Sequence, residues 1–199
     1  MANLYVRKLS SQDLDALQTY VAAASVGPST VRSYPGETKS ICQRHLSSLN
    51  LRPLRQGSPS DFRTFLTRQT QSLIRKLSSN SALPIPESYF GVARKVVNIF
   101  LHNAYYNQFL CEHFSLGRHV ESYEVPLDSK VARGIRADSR LLGLAFDPSW
   151  EWSSLRAFDA STNRRYQELA RVIAESMATY RVHLDDYYYP GGFLWTFDN

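Results

Sequence analysis

The sequence predicts an all-α protein on three observations. Apolar residues recur at intervals of three and four along most of the chain, which is the spacing of one helix face. No stretch longer than a few residues alternates between polar and apolar side chains, as a half-buried strand does. Serine or aspartate stands at the start of several periodic segments, where these residues cap helices.

The N-terminal half predicts three helices. They run from Ser11 to a stop at Gly27-Pro28, over residues 36–49, and from Ser60-Asp61 to the break at residues 78–88, with a loop at 50–59. The third is strongly amphipathic, and we interpret the bases on its polar face as a solvated surface rather than a nucleic-acid patch. The break contains Pro84 and Pro86, which prevent helix continuation, so it is the best candidate for a lobe boundary.

The C-terminal half predicts four more helices. They cover residues 91–110, a segment capped by Asp128, residues 150–158, and a long segment opened by Ser161-Thr162-Asn163. From these breaks we expect a two-lobed helical bundle. Residues 1–85 together with the C-terminal helix, 161–199, form one lobe, and residues 86–160 form the other.

The composition of the chain excludes several classes of protein. The chain has 199 residues, 43% of them hydrophobic, which is enough for a packed core, and its net charge of +5 favours a polyanionic partner. No apolar run is long enough to span a membrane, and no secretory signal is evident. Two cysteines, Cys42 and Cys111, are too few for a disulfide framework or a thiolate zinc site. We therefore expect a soluble cytoplasmic monomer without metal or cofactor.

Two motifs carry the functional hypothesis. They are Gly91-Val-Ala-Arg-Lys95, which continues to Leu101, and Val125-Pro-Leu-Asp128, which continues to Ile135. Together they resemble the helix-hairpin-helix DNA glycosylase superfamily, which includes endonuclease III and the 8-oxoguanine glycosylases. That family has the pattern L-P-G-V-G-x-K followed later by V-(P/D)-x-D-x-x-V. The resemblance covers residues 89–135.

The resemblance implies a role for each matching residue. It places a DNA phosphate on the backbone of a turn formed by Gly91, Val92, Ala93 and Arg94. Lys95 becomes the nucleophile that attacks C1′ of the sugar, and Asp128 the carboxylate that stabilises positive charge there. The implied activity is excision of a damaged or modified base from double-stranded DNA, with an 8-oxoguanine-like purine favoured. Base flipping and a lysine Schiff base would make the enzyme an abasic-site lyase as well.

The sequence also departs from the family pattern. Tyr89-Phe90 replaces Leu-Pro, and Ala93 replaces the second glycine of the turn, where a positive φ is easily adopted only by glycine. Lys95 and Asp128 are 33 positions apart, so residues 107–124 would be an insertion. These departures favour an alternative, a non-catalytic helical module that binds DNA or a protein partner within a phage-defence or genome-maintenance system.

Two further features have ordinary structural interpretations. The aromatic stretch 187–195 is expected to pack back on the body, with a base-pocket lining or a partner surface as alternatives. His183 with Asp185 and Asp186 could suggest a metal site, but this pattern more often marks a helix end.

Overall fold

The predicted all-α class is confirmed. In the computed structural model, which describes residues 9–79 and 89–189, regular structure within these ranges is helical and no strand occurs. The α-helices are α1 (Ser11–Ala24), α2 (Pro28–Val31), α3 (Thr38–Ser47), α4 (Pro59–Ser79), α5 (Phe90–Tyr106), α6 (Gln108–Phe114), α7 (Ser129–Leu141), α8 (Ala160–Ser176) and α9 (Leu184–Tyr188). Short 3-10 helices cover Arg52–Arg55, Leu116–Ser122, Pro148–Trp150 and Arg181–His183.

Side-chain caps fix the starts of the predicted helices. Ser10 caps α1 through a reciprocal pair of hydrogen bonds with Asp13, one residue before the predicted start. Asp128 caps α7 as predicted. Asp159 caps α8 by accepting a hydrogen bond from the Thr162 N–H at 2.7 Å, so this helix begins slightly earlier than the sequence indicated.

The predicted helix over residues 91–110 is divided in two. Asn107 leaves the helical conformation with φ −81° and ψ 108°, and its side chain accepts a hydrogen bond from the Leu110 N–H at 3.1 Å. Asparagine is a strong N-cap, so it ends α5 and starts α6. The apolar period continues across this boundary, which is why the sequence indicated one helix.

The prediction of a helix over residues 150–158 is wrong. Only Pro148–Trp150 is helical, as a 3-10 turn, and the following residues are irregular. Tertiary packing, rather than a helix, buries Phe158 and half-buries Trp152 in this segment. Trp152 and Phe158 lie with ring centroids 4.9 Å apart and pack in the same apolar cluster as α7 and α8.

Buried apolar side chains form two clusters. One joins α1, α3, α4, α5 and α6, with Phe62, Val96 and Phe100 fully buried. The other joins α7, α8 and α9, with Val131 and Tyr166 fully buried. In the core, α8 therefore packs in the same cluster as α7, whereas α5 packs in the same cluster as the N-terminal helices. The predicted lobes, 1–85 with 161–199 and 86–160, stay a prediction.

The helix-hairpin-helix element also stays a prediction, because residues 80–88, between α4 and α5, lie outside the described residues. Residues 80–88 also make up most of the proposed lobe boundary at 78–88. Most of the aromatic stretch 187–195 lies beyond residue 189 and is likewise outside the described residues. Within the described ranges, no helix has the length and apolar character needed to cross a bilayer.

Ala178 should be replaceable by glycine with a gain in stability. It has φ 50° immediately after α8, where the Thr179 N–H reaches back to the Ala174 carbonyl at 2.9 Å in a Schellman motif. A left-handed conformation costs an alanine about 1 kcal/mol, so Ala178→Gly should raise the free energy of unfolding by up to that amount in urea denaturation. Ala137→Gly, on the exposed side of α7, should lower the free energy of unfolding by about as much. A loss of stability in both variants would contradict this interpretation.

Candidate functional site

Lys95 and Asp128 come together although they are 33 positions apart. The Lys95 Nζ lies 3.3 Å from the Asp128 Oδ2, and both side chains are mostly buried, with 10% and 14% of their surfaces exposed. A charge pair removed from water to this degree is screened less than a surface pair. The amine is therefore held beside the acid rather than in bulk solvent.

The carboxylate of Asp128 serves two purposes at once. Its Oδ1 accepts hydrogen bonds from the N–H groups of Lys130 and Val131 at 2.8 and 3.0 Å, which caps α7. Its Oδ2 accepts from Lys95 and from the Tyr189 hydroxyl, the latter at 2.8 Å. Each oxygen thus has two donors, and the capping geometry fixes the direction in which the second oxygen points.

The segment before Asp128 is anchored to α5 through Glu124. The Glu124 carboxylate binds the Arg94 guanidinium in two places, at 2.5 and 2.8 Å, and accepts from the side chains of Asn98 and Asn163 at 3.2 Å. Burial alone raises the pKa of Glu124, but these donors, above all Arg94, hold it below its ordinary value. Since Arg94 is the neighbour of Lys95 on α5, this network sets the distance between Lys95 and the segment that carries Asp128.

The same segment is anchored to α8 through Gln167. Its side-chain amide accepts a hydrogen bond from the Val125 N–H at 3.0 Å and donates one to the Val125 carbonyl at 2.8 Å. This pairing satisfies both backbone groups of a buried residue. The approach to Asp128 is therefore held on both sides.

Lys95 and Asp128 open into a cavity of about 480 Å³, which we call the Lys95 cleft. It lies between α5, the start of α7, α9 and the turn joining α1 to α2, and its polar lining consists of Ser25, Ser29, Thr30, Lys95, His102, Asn103, Asp128, Asp185, Asp186 and Tyr189. The volume falls in the range of sites for small molecules.

Helix α9 reaches the cleft because it docks on α7 at a glycine. A Cβ atom at position 134 would lie 2.2 Å from the Tyr188 ring, so only glycine allows the ring to rest there. The Tyr188 hydroxyl also donates to the Asp138 carboxylate at 2.8 Å. This contact directs Asp185 and Tyr189, one on each side of Tyr188, toward the cleft.

Sequence reasoning missed three residues of this site, His102, Asp185 and Asp186. It included Tyr189 only within the aromatic stretch 187–195, for which a base-pocket lining was one alternative. The sequence drew attention to Asp185 and Asp186 only as a helix end or a metal site. In the described residues, no group of three or more His, Cys, Asp or Glu side chains is arranged to hold a metal ion. The adjacent acids near an aromatic stretch were the available signal, but nothing local shows that they face Lys95.

The carboxyl groups of the cleft have different environments. Burial tends to raise the pKa of Asp128, but Lys95, the backbone donors and Tyr189 hold it below its ordinary value. Burial raises the pKa of Asp185 to about 6, and the nearby charges of Asp128 and Asp186 act in the same direction. Among the described residues none donates a hydrogen bond to the Asp185 side chain.

His102 and Asp186 form a second charge pair at the edge of the cleft. The His102 Nε2 lies 3.5 Å from the Asp186 Oδ2, longer than a good hydrogen bond but within range of a charge contact. Burial tends to lower the pKa of His102, but the charges of Asp186 and Asp185 outweigh it and raise that pKa. Contact with His102 correspondingly lowers the pKa of Asp186.

The residues that the resemblance assigns to a phosphate-binding turn lie at the start of α5. Gly91, Val92 and Ala93 are buried inside the first turn of α5, which begins at Phe90, and not in a loop before the helix. A Cβ atom at position 91 would lie 2.0 Å from the Leu155 carbonyl oxygen, so glycine is required there for close packing. Ala93 has no positive φ.

Arg94, the fourth residue of the predicted turn, forms a buried ion pair with Glu124. It also donates a hydrogen bond to the Thr70 hydroxyl at 3.2 Å. Binding of a phosphate by these four residues stays a prediction.

Comparison of this chain with family models, with curated proteins and with solved structures found no match. The case for a function therefore rests on the geometry of the Lys95 cleft and on the motif resemblance.

Because the environments of Asp185 and Asp186 are opposite, we expect replacement of each by asparagine to change the stability of the protein in opposite directions. Because the pKa of Asp185 is raised to about 6 in the folded state, its stabilising contribution is complete below about pH 4 and is lost as the pH rises through 6. Asp185→Asn should therefore make the protein more stable than wild type by roughly 2 kcal/mol at about pH 7.5, with the gain disappearing toward pH 4.

Asp186→Asn is the matched control. The pKa of Asp186 is lowered in the folded state, so its contribution is present above its unfolded pKa and is lost as the pH falls. This variant should be less stable than wild type at neutral pH, with the difference closing in acid. Urea denaturation across this pH range measures both effects, and the same sign for both variants would refute the assignment.

Proposed function

We propose that this protein is a DNA glycosylase with abasic-site lyase activity, acting on a damaged or modified base, with an oxidised purine such as 8-oxoguanine favoured. The observation that carries the proposal is the Lys95–Asp128 pair, 3.3 Å apart at the wall of a cleft. The motif resemblance requires an amine beside a carboxylate at a helix start. The structure has that arrangement at the two positions the sequence singled out.

In the proposed reaction the target nucleotide leaves the duplex and its sugar enters the Lys95 cleft. The neutral amine of Lys95 attacks C1′ as the bond to the base breaks. Positive charge develops on the sugar during this step, and the Asp128 carboxylate stabilises it from its capped position. Fixed by two backbone N–H groups, the carboxylate needs little rearrangement when that charge appears.

The surface beside the cleft favours a polyanionic partner. Helix α7, which begins at the cleft, carries Lys130, Arg133 and Arg140 on its exposed side. Such bases suit the phosphate backbone, which dominates the affinity of most proteins for DNA. Since the cleft itself contains three carboxyl groups, we place the phosphate contacts on α7 and only the flipped nucleoside in the cleft.

A non-catalytic DNA- or partner-binding module is the second candidate. It is favoured by the burial of Gly91, Val92 and Ala93 within α5, since a phosphate-binding turn must present its backbone to DNA. The two candidates differ in one respect that is easily measured. Only the glycosylase forms a covalent bond to its substrate.

Borohydride trapping on a duplex with a single abasic site tests the proposal. Wild type should give a covalent protein–DNA adduct, because borohydride reduces the Schiff base to a stable amine. Lys95→Gln should give none. Lys39→Gln, which removes an exposed lysine of α3, should trap as wild type does.

Asp128→Asn tests the charge-stabilising role in base release. We expect a loss of about 10²-fold or more, as for other groups that stabilise transition-state charge. Asp159→Asn makes the same change at another capping aspartate, that of α8, and controls for replacing a capping carboxylate by an amide. Duplex binding without adduct formation, unchanged by Asp128→Asn, would instead establish the non-catalytic module.

A further inference from the structure

The Lys95 cleft contains a carboxyl group for which the reaction described above has no use. Asp185 lies on α9 and lines the cleft together with Lys95 and Asp128. Its backbone carbonyl accepts a hydrogen bond within α9, but no described residue donates one to its side chain. A carboxyl group that is largely buried without donors is most stable in its neutral form.

Asp128 has the opposite environment. Four donors surround its carboxylate, one of them the amine of Lys95. Such a group remains ionised. Two carboxyl groups in one cleft with environments this different are suited to different tasks, one as a fixed negative charge and the other as a proton donor.

We propose that Asp185 is the general acid of the cleft and protonates the departing base while Asp128 stays ionised. This inference rests on the proposed glycosylase function and assigns a residue to one of its steps. Loss of a base as an unprotonated anion is slow, and a positioned acid contributes a factor of about 10² to 10⁴ to such a step.

The proposed step conserves atoms and charge. Lys95 reacts as the neutral amine, after its ammonium group has released one proton to water. The nitrogen then forms a bond to C1′ as the bond from C1′ to the base nitrogen breaks. The electron pair of the broken bond stays on the base nitrogen, which takes the carboxyl proton of Asp185. The nitrogen of the adduct then gives up a proton to the Asp185 carboxylate, so the acid is restored without another reactant.

Several charged and titratable groups face Asp185. They are Lys95, His102 and Tyr106 of α5, Asp128 at the start of α7, Asp186 of α9, and Tyr189 immediately after α9. Of these, His102 and Lys95 oppose its protonation, whereas Asp128 and Asp186 favour it. Burial, the largest influence, favours the neutral form and raises the pKa of Asp185 to about 6. Base release should therefore decline as the pH rises above that value.

Two substrates separate this step from the rest of the reaction. The first is a set of duplexes, each with one oxidised or alkylated purine, on which base release is measured by mass spectrometry. The second is a duplex with a preformed abasic site, which has no base to protonate. Asp185→Asn should lower base release by about 10²-fold or more but leave borohydride trapping on the abasic duplex within about threefold of wild type.

The pH profile adds a readout that a merely structural role would not change. Asp185→Asn should lose the decline in base release above about pH 6. Asp186→Asn should keep a decline, shifted to lower pH, because one negative charge near Asp185 has been removed.

Each outcome of the comparison is informative. Wild-type base release by Asp185→Asn, or an equal loss on both substrates, overturns the general-acid role alone, since a folding or binding defect affects both substrates. Absence of adduct and of base release with wild type overturns the proposed function and this inference with it.

Discussion

The carboxylate of Asp128 is the group on which the site depends. It caps α7 with one oxygen and binds Lys95 of α5 and Tyr189, immediately after α9, with the other. Three helices that belong to two apolar clusters are thereby connected at a single side chain. Loss of one member of a buried charge pair is costly because the other charge is left uncompensated, so the position tolerates little change.

Much of the remaining structure holds that carboxylate in place. Glu124 ties the preceding segment to Arg94, one residue before Lys95, and Gln167 ties it to α8. The docking of Tyr188 against Gly134 brings α9 to the opposite wall of the cleft. Because these contacts come from separate elements, the site is preorganised in the absence of substrate, which is the condition for electrostatic stabilisation of developing charge.

Most of the helices could be predicted from the sequence because their signals are local, and the contact between Lys95 and Asp128 was expected from the motif resemblance. Apolar period and capping residues located α1, α4, α5, α7 and α8, and the motif resemblance paired Lys95 with Asp128. The break at Asn107 and the irregular chain after Trp150 were missed, since a side-chain cap and tertiary burial override the apolar period there. Asp185 was missed as a site residue, and Tyr189 was not singled out within the stretch 187–195, because their positions depend on long-range packing of α9 against α7.

Identification of the amine that carries the substrate tests the central claim most directly. The adduct between wild-type protein and abasic DNA is reduced with borohydride, digested, and mapped by tandem mass spectrometry. The chain offers five lysines, Lys8, Lys39, Lys76, Lys95 and Lys130, as well as its N-terminal amine. The account predicts a single modified residue, Lys95. An adduct on any of the other amines would contradict it.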